Sequence, residues 1–338
     1  MNAFAIVKDS FSQHCDVESN LIYDGCKDLK PEITVAIPTF RRPELLRESV
    51  KSALAQETSV VYEVIVVDNE QDGSWSELVD EVLAEFMPEN LRLFRNSKNI
   101  GMFGNWNRCI SLARGRWVTI LNDDDLLFSG FLDLVSAKRV GQRMVSCAVI
   151  SGSDPHSFSK FSSSSCLGRD EDILLSTVIQ YNPVPGSLGA LFSKQAALDI
   201  GGYDEEFYPS SDYLFSAKYI QAHGAIKTAD VGAFYRWEVN ESLKVRALEG
   251  FLLKDKKIKI DLLDFLEVVG IRRRIADGLI ALQEEHRANI NYPGINPSFS
   301  RESNLVWLFF RRVHACRTAR SIAAWLRTKL WSLLIGSS

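Results

Sequence analysis

Three consecutive aspartates are the clearest chemical signal in this sequence. The run Asp123-Asp124-Asp125 follows Asn122, which comes directly after the mainly apolar segment 117–121. That segment predicts a buried strand. Adjacent carboxylates repel each other unless a cation offsets their charge. Because Mg²⁺ and Mn²⁺ prefer carboxylate oxygens together with substrate phosphates, the run predicts a divalent metal site. The alternative is that Asp124 or Asp125 only caps a helix that begins near Leu126.

Polar side chains also follow two other predicted strands. The strand at 33–37 is followed by Pro38, Thr39, Phe40 and Arg41, and the strand at 64–67 by Asp68 and Asn69. The carboxyl ends of parallel strands meet at one edge of a sheet, where ligands bind. We therefore expect carboxylates, amides and an aromatic ring in one crevice, a combination suited to a nucleotide and its metal.

The elements that must position these residues alternate along the chain. The predicted strands are 33–37, 64–67, 91–95, 117–121, 145–150, 188–193 and 231–237, and the predicted helices start at Pro43 or span about 75–86, 102–113, 128–140, 171–180 and 211–222. Strand and helix in series indicate an α/β fold with a mostly parallel, doubly wound sheet.

Composition shifts divide the chain into three parts. Residues 1–31 are polar and irregular, residues 32–245 carry the alternating pattern, and residues 246–338 are helical in pattern and basic. The serine-rich segment at 151–165 predicts a loop. We expect the ordered domain to begin near residue 32.

Four motifs in order resemble the family 2 glycosyltransferases. They are Pro38-Thr39-Phe40-Arg41-Arg42-Pro43, Val66-Val67-Asp68-Asn69, Asn99-Ile100-Gly101 and Asn122-Asp123-Asp124-Asp125. The segments Gly201-Gly202-Tyr203-Asp204 and Ser211-Asp212 also resemble that family, over residues 32 to 245 in all. The resemblance implies a GT-A fold, here with a helical C-terminal extension.

The resemblance also implies residue roles. Asp212 is the expected catalytic base, Asp124 the metal ligand for Mn²⁺ or Mg²⁺, and Asp123 a contact to ribose or to a metal-bound water. The other expected nucleotide-sugar contacts are Pro38, Thr39, Phe40, Arg41, Asp68, Asn69 and Asn99. Glu238 stands where the family usually has histidine, so its metal role is weaker. Without the resemblance, Asp212 could equally cap a helix running to Ala222.

The family implies inverting transfer from a nucleotide sugar, with UDP favoured and dTDP as the alternative. The expected acceptor is a lipid-linked saccharide or an oligosaccharide in surface polysaccharide assembly, such as O-antigen or capsule. A nucleotidyltransferase or a dehydrogenase would need a glycine-rich phosphate loop, which Phe40-Arg41-Arg42-Pro43 does not provide. A non-catalytic binding protein of the same fold is the remaining rival.

Charge is distributed unevenly. Residues 301–338 hold seven Lys and Arg residues and one acid, whereas the upstream chain holds 32 basic and 42 acidic residues. Tryptophan and leucine interleaved with arginine are typical of an interfacial helix on anionic lipid. We expect a cytoplasmic enzyme, peripherally bound to the inner membrane through 301–338, with no nucleic-acid partner. The alternative is that this tail packs on the catalytic domain or a second copy.

The cysteines and the N-terminus agree with that compartment. The six cysteines are scattered without zinc-ligand spacing, which indicates a reducing environment. The first residues lack the basic and apolar regions of a secretory signal, and no stretch of eighteen apolar residues predicts a membrane span.

Overall fold

A computed structural model describes residues 2–71, 73–86, 88–153, 168–237, 245–291 and 329–335. Its centre is one mixed sheet of ten strands with helices around it. The strands are β1 (Ser19–Asp24), β2 (Ile33–Thr39), β3 (Tyr62–Asp68), β4 (Leu91–Asn96), β5 (Trp117–Ile120), β6 (Leu126–Leu127), β7 (Met144–Gly152), β8 (Glu171–Asp172), β9 (Ala190–Ser193) and β10 (Ala225–Arg236).

The strand order is β1-β4-β3-β2-β5-β9-β7-β10-β6, with β8 paired to β10. The neighbours β4, β3, β2 and β5 are parallel, as are β7 and β10. Strands β1, β6, β8 and β9 pair antiparallel to their neighbours. The predicted α/β class with a mostly parallel sheet is confirmed.

The helices lie between these strands and after them. They are α1 (Pro43–Leu54), α2 (Ser74–Ala84), α3 (Met102–Leu112), α4 (Phe131–Ser136), α5 (Leu175–Val178), α6 (Lys194–Asp199), α7 (Ser211–His223), α8 (Val245–Phe265) and α9 (Gly270–Asn291), with a further helical segment at 329–335. Short 3-10 helices occupy Phe11–His14, Pro185–Ser187 and Glu205–Phe207. Of the helices in the described residues, none combines the length and the hydropathy that a membrane span requires.

The central strands are buried on both faces, as their unbroken apolar runs predict. Alternate residues of β3 join two core clusters: Ile65 and Val67 belong to one, and Val64 and Val66 to the other. Burying each such side chain stabilises the fold by about 2 kcal/mol. This packing fixes where the polar strand ends lie.

Two predictions about the elements are wrong. Residues 1–31 are not an irregular extension, because β1 pairs with β4 at the edge of the sheet and Phe11–His14 forms a helical turn. The 171–180 segment is not one helix but the short strand β8 followed by the single turn α5. Most of the serine-rich 151–165 segment lies outside the described residues.

Candidate active site

A cavity of about 910 Å³ opens where the central strands end. Its wall includes Thr39 at the end of β2, Asp123 after β5, Trp106 of α3, Asp212 of α7 and Glu284 of α9. Residues from five separate elements, spread over 246 positions of the sequence, therefore share one space. The predicted crevice at the carboxyl edge of the sheet is present.

Asp123 and Asp124 line this cavity and are held by the loop that follows β2. The Thr39 hydroxyl donates to Asp123 Oδ2 at 2.9 Å, and Arg42 Nη1 donates to Asp124 Oδ2 at 2.8 Å. Burial raises the pKa of Asp123 to about 6 and also raises the pKa of Asp124, while the Arg42 guanidinium opposes both shifts. The pair is thus a buried anionic site with the Arg42 guanidinium in direct contact with its carboxylates.

Asp125 has a different role from its two neighbours. Its carboxylate accepts hydrogen bonds from Asn122 Nδ2 at 2.9 Å and from the backbone N–H of Arg236 at 3.1 Å. It joins the β5 loop to the end of β10. Leu126 starts strand β6, and α4 begins only at Phe131, so the alternative of a helix cap at Leu126 is wrong.

Of the two neighbouring arginines, Arg42 lines the cavity, whereas the sequence analysis chose Arg41. The Arg41 backbone has a φ of 57°, so the loop turns there. The Arg41 side chain is 51% exposed and pairs with Glu70. Sequence spacing does not reveal a left-handed turn at a non-glycine residue, so it indicated Arg41 where the structure places Arg42.

The end of β3 is bound into the scaffold. Asp68 is fully buried, and Arg95 Nε donates to its Oδ2 at 3.2 Å. Burial raises the pKa of Asp68 to about 6, and the Arg95 guanidinium opposes this shift. Asp68 is therefore engaged by the neighbouring strand, which does not favour the nucleotide contact predicted for it.

Asn69 lines the cavity, but its amide is occupied by the protein. Its Nδ2 donates to Asn99 Oδ1 at 3.1 Å and to the Gly101 carbonyl at 3.0 Å, and its Oδ1 accepts from Asn96 Nδ2 and from Ile100 N–H, both at 3.0 Å. An asparagine amide offers two donors and two acceptor positions, and all four are used. Asn69 thus shapes the Asn99 loop and has no capacity left to read a base.

Pro38, Phe40 and Asn99 line the cavity as predicted for nucleotide contacts. Phe40 is 38% exposed, and the Arg41 guanidinium lies 4.9 Å from its ring centroid. A partly exposed aromatic ring at the rim of a polar cavity offers a face for a planar base.

Asp212 lies in the first turn of α7, where Ser210 holds the N-cap position. Its Oδ2 accepts from Asn182 Nδ2 and from the backbone N–H of Gly186, both at 2.8 Å. Burial raises the pKa of Asp212 to about 6, and the negative charge of Asp255 adds to the shift. The capping alternative is wrong, and the half-buried carboxylate faces the same cavity as Asp124.

Residues 34–165 match the family model described as glycosyl transferase family 2. The chain carries a family 2 glycosyltransferase domain. The Campylobacter jejuni GalNAc(5)-diNAcBac-PP-undecaprenol beta-1,3-glucosyltransferase is 32% identical over 109 residues, which cover 32% of this chain and 34% of that protein. The Escherichia coli putative colanic acid biosynthesis glycosyl transferase WcaA is 35% identical over 95 residues, which cover 28% of this chain and 33% of that protein.

The chain spans about a third of the length of those two relatives, and 61% of an uncharacterized Mycobacterium tuberculosis protein that is 27% identical to it. The S. aureus TarS 1-349 structure in complex with UDP-GlcNAc covers 90% of this chain and 91% of its own, with 15% identity and a TM-score of 0.59. The Pyrobaculum calidifontis mannosyltransferase in complex with GDP-Man and Mn²⁺ covers 94% and 89%, with 16% identity and a TM-score of 0.50. These neighbours share the GT-A fold with the glycosyltransferase domain.

The metal prediction was tested on the donor set of this domain. Within the described residues, no group of three or more His, Cys, Asp or Glu side chains is arranged to hold an ion. A hard divalent ion often takes only one or two protein carboxylates and completes its shell with substrate phosphates. Asp124, beside Asp123 in the cavity wall, fits such an ion, which would exchange with the Arg42 guanidinium at Oδ2. Glu238 lies outside the described residues.

Several residues that line the cavity were not among the predicted site residues. Besides Arg42, they are Asn182, which holds Asp212, and three residues of the C-terminal helices, namely Asp255 and Lys259 of α8 and Glu284 of α9. The only available signal was for Arg42, which belongs to the first family motif. The others come from segments that lack a motif.

The tail prediction is resolved only for 329–335. Trp331 is fully buried and joins the core cluster that includes Leu262 of α8 and Leu279 of α9. In this segment the chain packs on its own core, as the alternative expects. Residues 301–328 and 336–338 lie outside the described residues, so the membrane hypothesis remains a prediction for them.

Proposed function

We propose that this chain is a metal-dependent, inverting glycosyltransferase that moves a sugar from a nucleotide-sugar donor to a lipid-linked saccharide in surface polysaccharide assembly, such as O-antigen or capsule. One observation carries the proposal: a single cavity contains both the Asp123–Asp124 pair and the Asp212 carboxylate. Donor and acceptor chemistry need these two groups in one space.

The donor end lies at the strand tips. Phe40 offers its ring to the base, Asp123 faces the ribose, and Arg42 supplies positive charge to the diphosphate. Asp124 would hold Mn²⁺ or Mg²⁺, and the ion would neutralise negative charge on the departing nucleoside diphosphate. TarS was solved with UDP-GlcNAc, which supports UDP as the favoured nucleotide, with dTDP as the alternative.

Asp212 serves the acceptor. Its carboxylate takes the proton of an acceptor hydroxyl as that oxygen bonds to the anomeric carbon and the bond from this carbon to the phosphate oxygen breaks. Asn182 and Gly186 orient the carboxylate. Because the pKa of Asp212 is raised to about 6 by burial, the group is ionised at neutral pH yet basic enough to accept a proton.

The test is binding and turnover with a panel of nucleotide sugars, with and without Mn²⁺. We expect one nucleoside diphosphate sugar to raise the melting temperature and to be hydrolysed slowly, with both effects lost in EDTA. If no nucleotide sugar binds, the proposed function is wrong. If one binds but is neither hydrolysed nor transferred, the chain is a binding protein that retained the fold.

Membrane association is part of the proposal and rests on the basic, aromatic sequence of 301–328. The C. jejuni relative is named for an undecaprenol-linked substrate, which supports a lipid-linked acceptor here. A variant with Arg311→Glu and Arg312→Glu should sediment less with phosphatidylglycerol vesicles at low salt than the wild type does. Equal sedimentation of both proteins would contradict a membrane role for this segment.

A further inference from the structure

The C-terminal helices form a wall of the cavity that the donor chemistry does not use. Asp255 and Lys259 of α8 and Gln283 and Glu284 of α9 line it. Lys259 Nζ donates to Glu284 Oε1 at 2.6 Å, and their side chains are 3% and 0% exposed. The wall is therefore a rigid polar surface, because a buried ion pair leaves both side chains little freedom.

Two oxygens of this wall need donors. Among the described residues, Glu284 Oε2 and Gln283 Oε1 are buried and have no hydrogen-bond partner. A buried acceptor without a partner is costly, and both residues line the cavity. No described residue supplies a donor, and water or the hydroxyl groups of a ligand in the cavity can do so.

The charge of this wall indicates which class of ligand can bind to it. Asp212, Asp255 and Glu284 face the cavity, and Lys259 is the only cation among the lining residues of α7, α8 and α9 whose side chains the structure describes. A diphosphate is disfavoured at such an acidic surface and favoured at the Arg42 side. A neutral molecule rich in hydroxyl donors suits the acidic wall, because carboxylate and amide oxygens accept from hydroxyls.

Two tyrosines add the apolar surface that a sugar ring requires. Tyr181 and Tyr208 line the cavity and are 55% and 49% exposed. Ligand sites combine such aromatic faces with a few placed polar groups that set orientation. A pyranose site is expected to combine oxygens that accept hydrogen bonds from sugar hydroxyls with exposed aromatic rings, and this cavity has both.

We propose that the α8–α9 wall is the acceptor subsite, and that it binds a neutral pyranose through Glu284 Oε2 and Gln283 Oε1 beside Asp212. This inference rests on the proposed function. It names the substrate class of the acceptor: a saccharide whose terminal ring carries free hydroxyls and no acidic group.

The experiment uses the full chain saturated with UDP and two classes of probe. Methyl β-glucopyranoside, methyl β-galactopyranoside and methyl N-acetyl-β-glucosaminide are neutral, and methyl β-glucuronide is acidic. Saturation-transfer NMR measures binding, and nucleotide-sugar hydrolysis without an acceptor measures the donor site. We expect a neutral glycoside to bind and the glucuronide to bind more weakly.

Gln283→Ala removes one unpartnered acceptor without breaking a hydrogen bond of the described protein. It should weaken glycoside binding about fivefold and leave hydrolysis and the donor KM within about twofold. The matched control is Gln195→Ala, an exposed helical glutamine on α6 outside the cavity wall, which should change neither value.

A double variant, Lys259→Met with Glu284→Leu, removes both buried charges together and avoids leaving one unpaired. It should fold, which circular dichroism checks, and lose glycoside binding by about tenfold or more. The inference is overturned if no neutral glycoside binds, if the glucuronide binds better, or if Gln283→Ala binds as the wild type does. Failure of the wild type to bind or hydrolyse any nucleotide sugar would instead refute the proposed function.

Discussion

Buried carboxylates occur in two regions of this molecule, and the protein treats them differently. On the β3–β4 side of the sheet, Asp68 pairs with Arg95 and Glu63 pairs with Arg92 at 2.8 Å. At the cavity, Asp124 is also buried and Asp212 is half-buried, but both face a space large enough for substrate. The protein's own packing shields all four carboxylates at least in part, yet only those of the second region face the cavity.

The difference lies in where the partner comes from. Asp68 and Arg95 are direct partners in the parallel register of β3 and β4, so the ladder itself holds the cation in place. The cation beside Asp124 comes from a loop, and Arg42 keeps 24% of its side chain exposed. A carboxylate whose cation lies across a strand pair belongs to the scaffold, whereas one whose cation lies on a loop can exchange that partner for substrate or metal.

The largest effect is expected at Asp212. Asp212→Asn keeps the shape and the donors around it but cannot accept a proton, so kcat should fall about 10³-fold while UDP binding persists. Steady-state kinetics together with thermal shift by UDP measure both. As a control, Asp199→Asn, at an exposed position on α6, should leave kcat unchanged.

The wild-type pH profile sharpens this assignment. The raised pKa of Asp212, about 6, means that the base is protonated and inactive below that pH, so kcat/KM should fall tenfold per unit below about pH 6. Asp255 faces the same carboxylate and helps to keep its pKa raised. If the Asp212→Asn variant loses UDP binding in proportion to its loss of turnover, Asp212 is a structural residue and the assignment as base is wrong.

The next effect is expected at Asp124. Asp124→Ala should lower metal-dependent transfer about 100-fold, because the ion that offsets diphosphate charge loses its protein ligand. Titration with Mn²⁺ in the presence of UDP measures the accompanying loss of metal affinity. Transfer within a few-fold of the wild type would refute the metal assignment.

A smaller effect, on the donor KM, is expected to distinguish Arg42 from Arg41. Arg42→Ala should raise the donor KM about tenfold through loss of a charge-assisted contact to the diphosphate. Arg41→Ala, at the exposed neighbour, should change it by no more than about twofold. If the Arg41 variant has the larger effect, then the loop rearranges when donor binds.

The smallest effect on transfer is expected at Asp68, together with a large effect on stability. Asp68→Asn leaves Arg95 with Asp80, at 2.7 Å, as its remaining carboxylate partner, and the loss of the charged contact to Asp68 should lower the free energy of unfolding by about 2 kcal/mol. Urea denaturation measures this loss, and the transfer rate at 20 °C should stay within about twofold. A large rise in the donor KM with unchanged stability would place Asp68 in the nucleotide site after all.

Sequence reasoning located the strand ends well because period-two and unbroken apolar runs report burial directly. It could place Asp68 and Asp123 at one sheet edge, but it could not tell which carboxylate a neighbouring strand would neutralise. That depends on Arg95 lying opposite Asp68, a register that no local pattern encodes.

Long-range packing explains the other omissions. Glu284 lines the cavity although it comes 72 positions after Asp212 in the sequence. Amphipathic spacing alone does not predict which face of α9 contacts the cavity. Strand β1 was missed because it is a short edge strand in which the apolar and aromatic residues Leu21, Ile22 and Tyr23 are consecutive and do not alternate with polar ones, and its pairing with β4 is a long-range contact.

The bracing of α8 has a consequence for how the protein is made. Asn2 Nδ2 donates to the Asp261 carbonyl at 2.8 Å, and the Ala3 N–H donates to the Asp261 carboxylate at 3.0 Å. Trp331 packs in the same core cluster as α8 from a segment far later in the chain. A ribosome delivers residues 2–3 early and 329–335 late, and domains form as their sequence emerges. The strand-end side of the cavity can therefore assemble during synthesis, whereas α8 gains its packing with Trp331 only after residue 331 has been added.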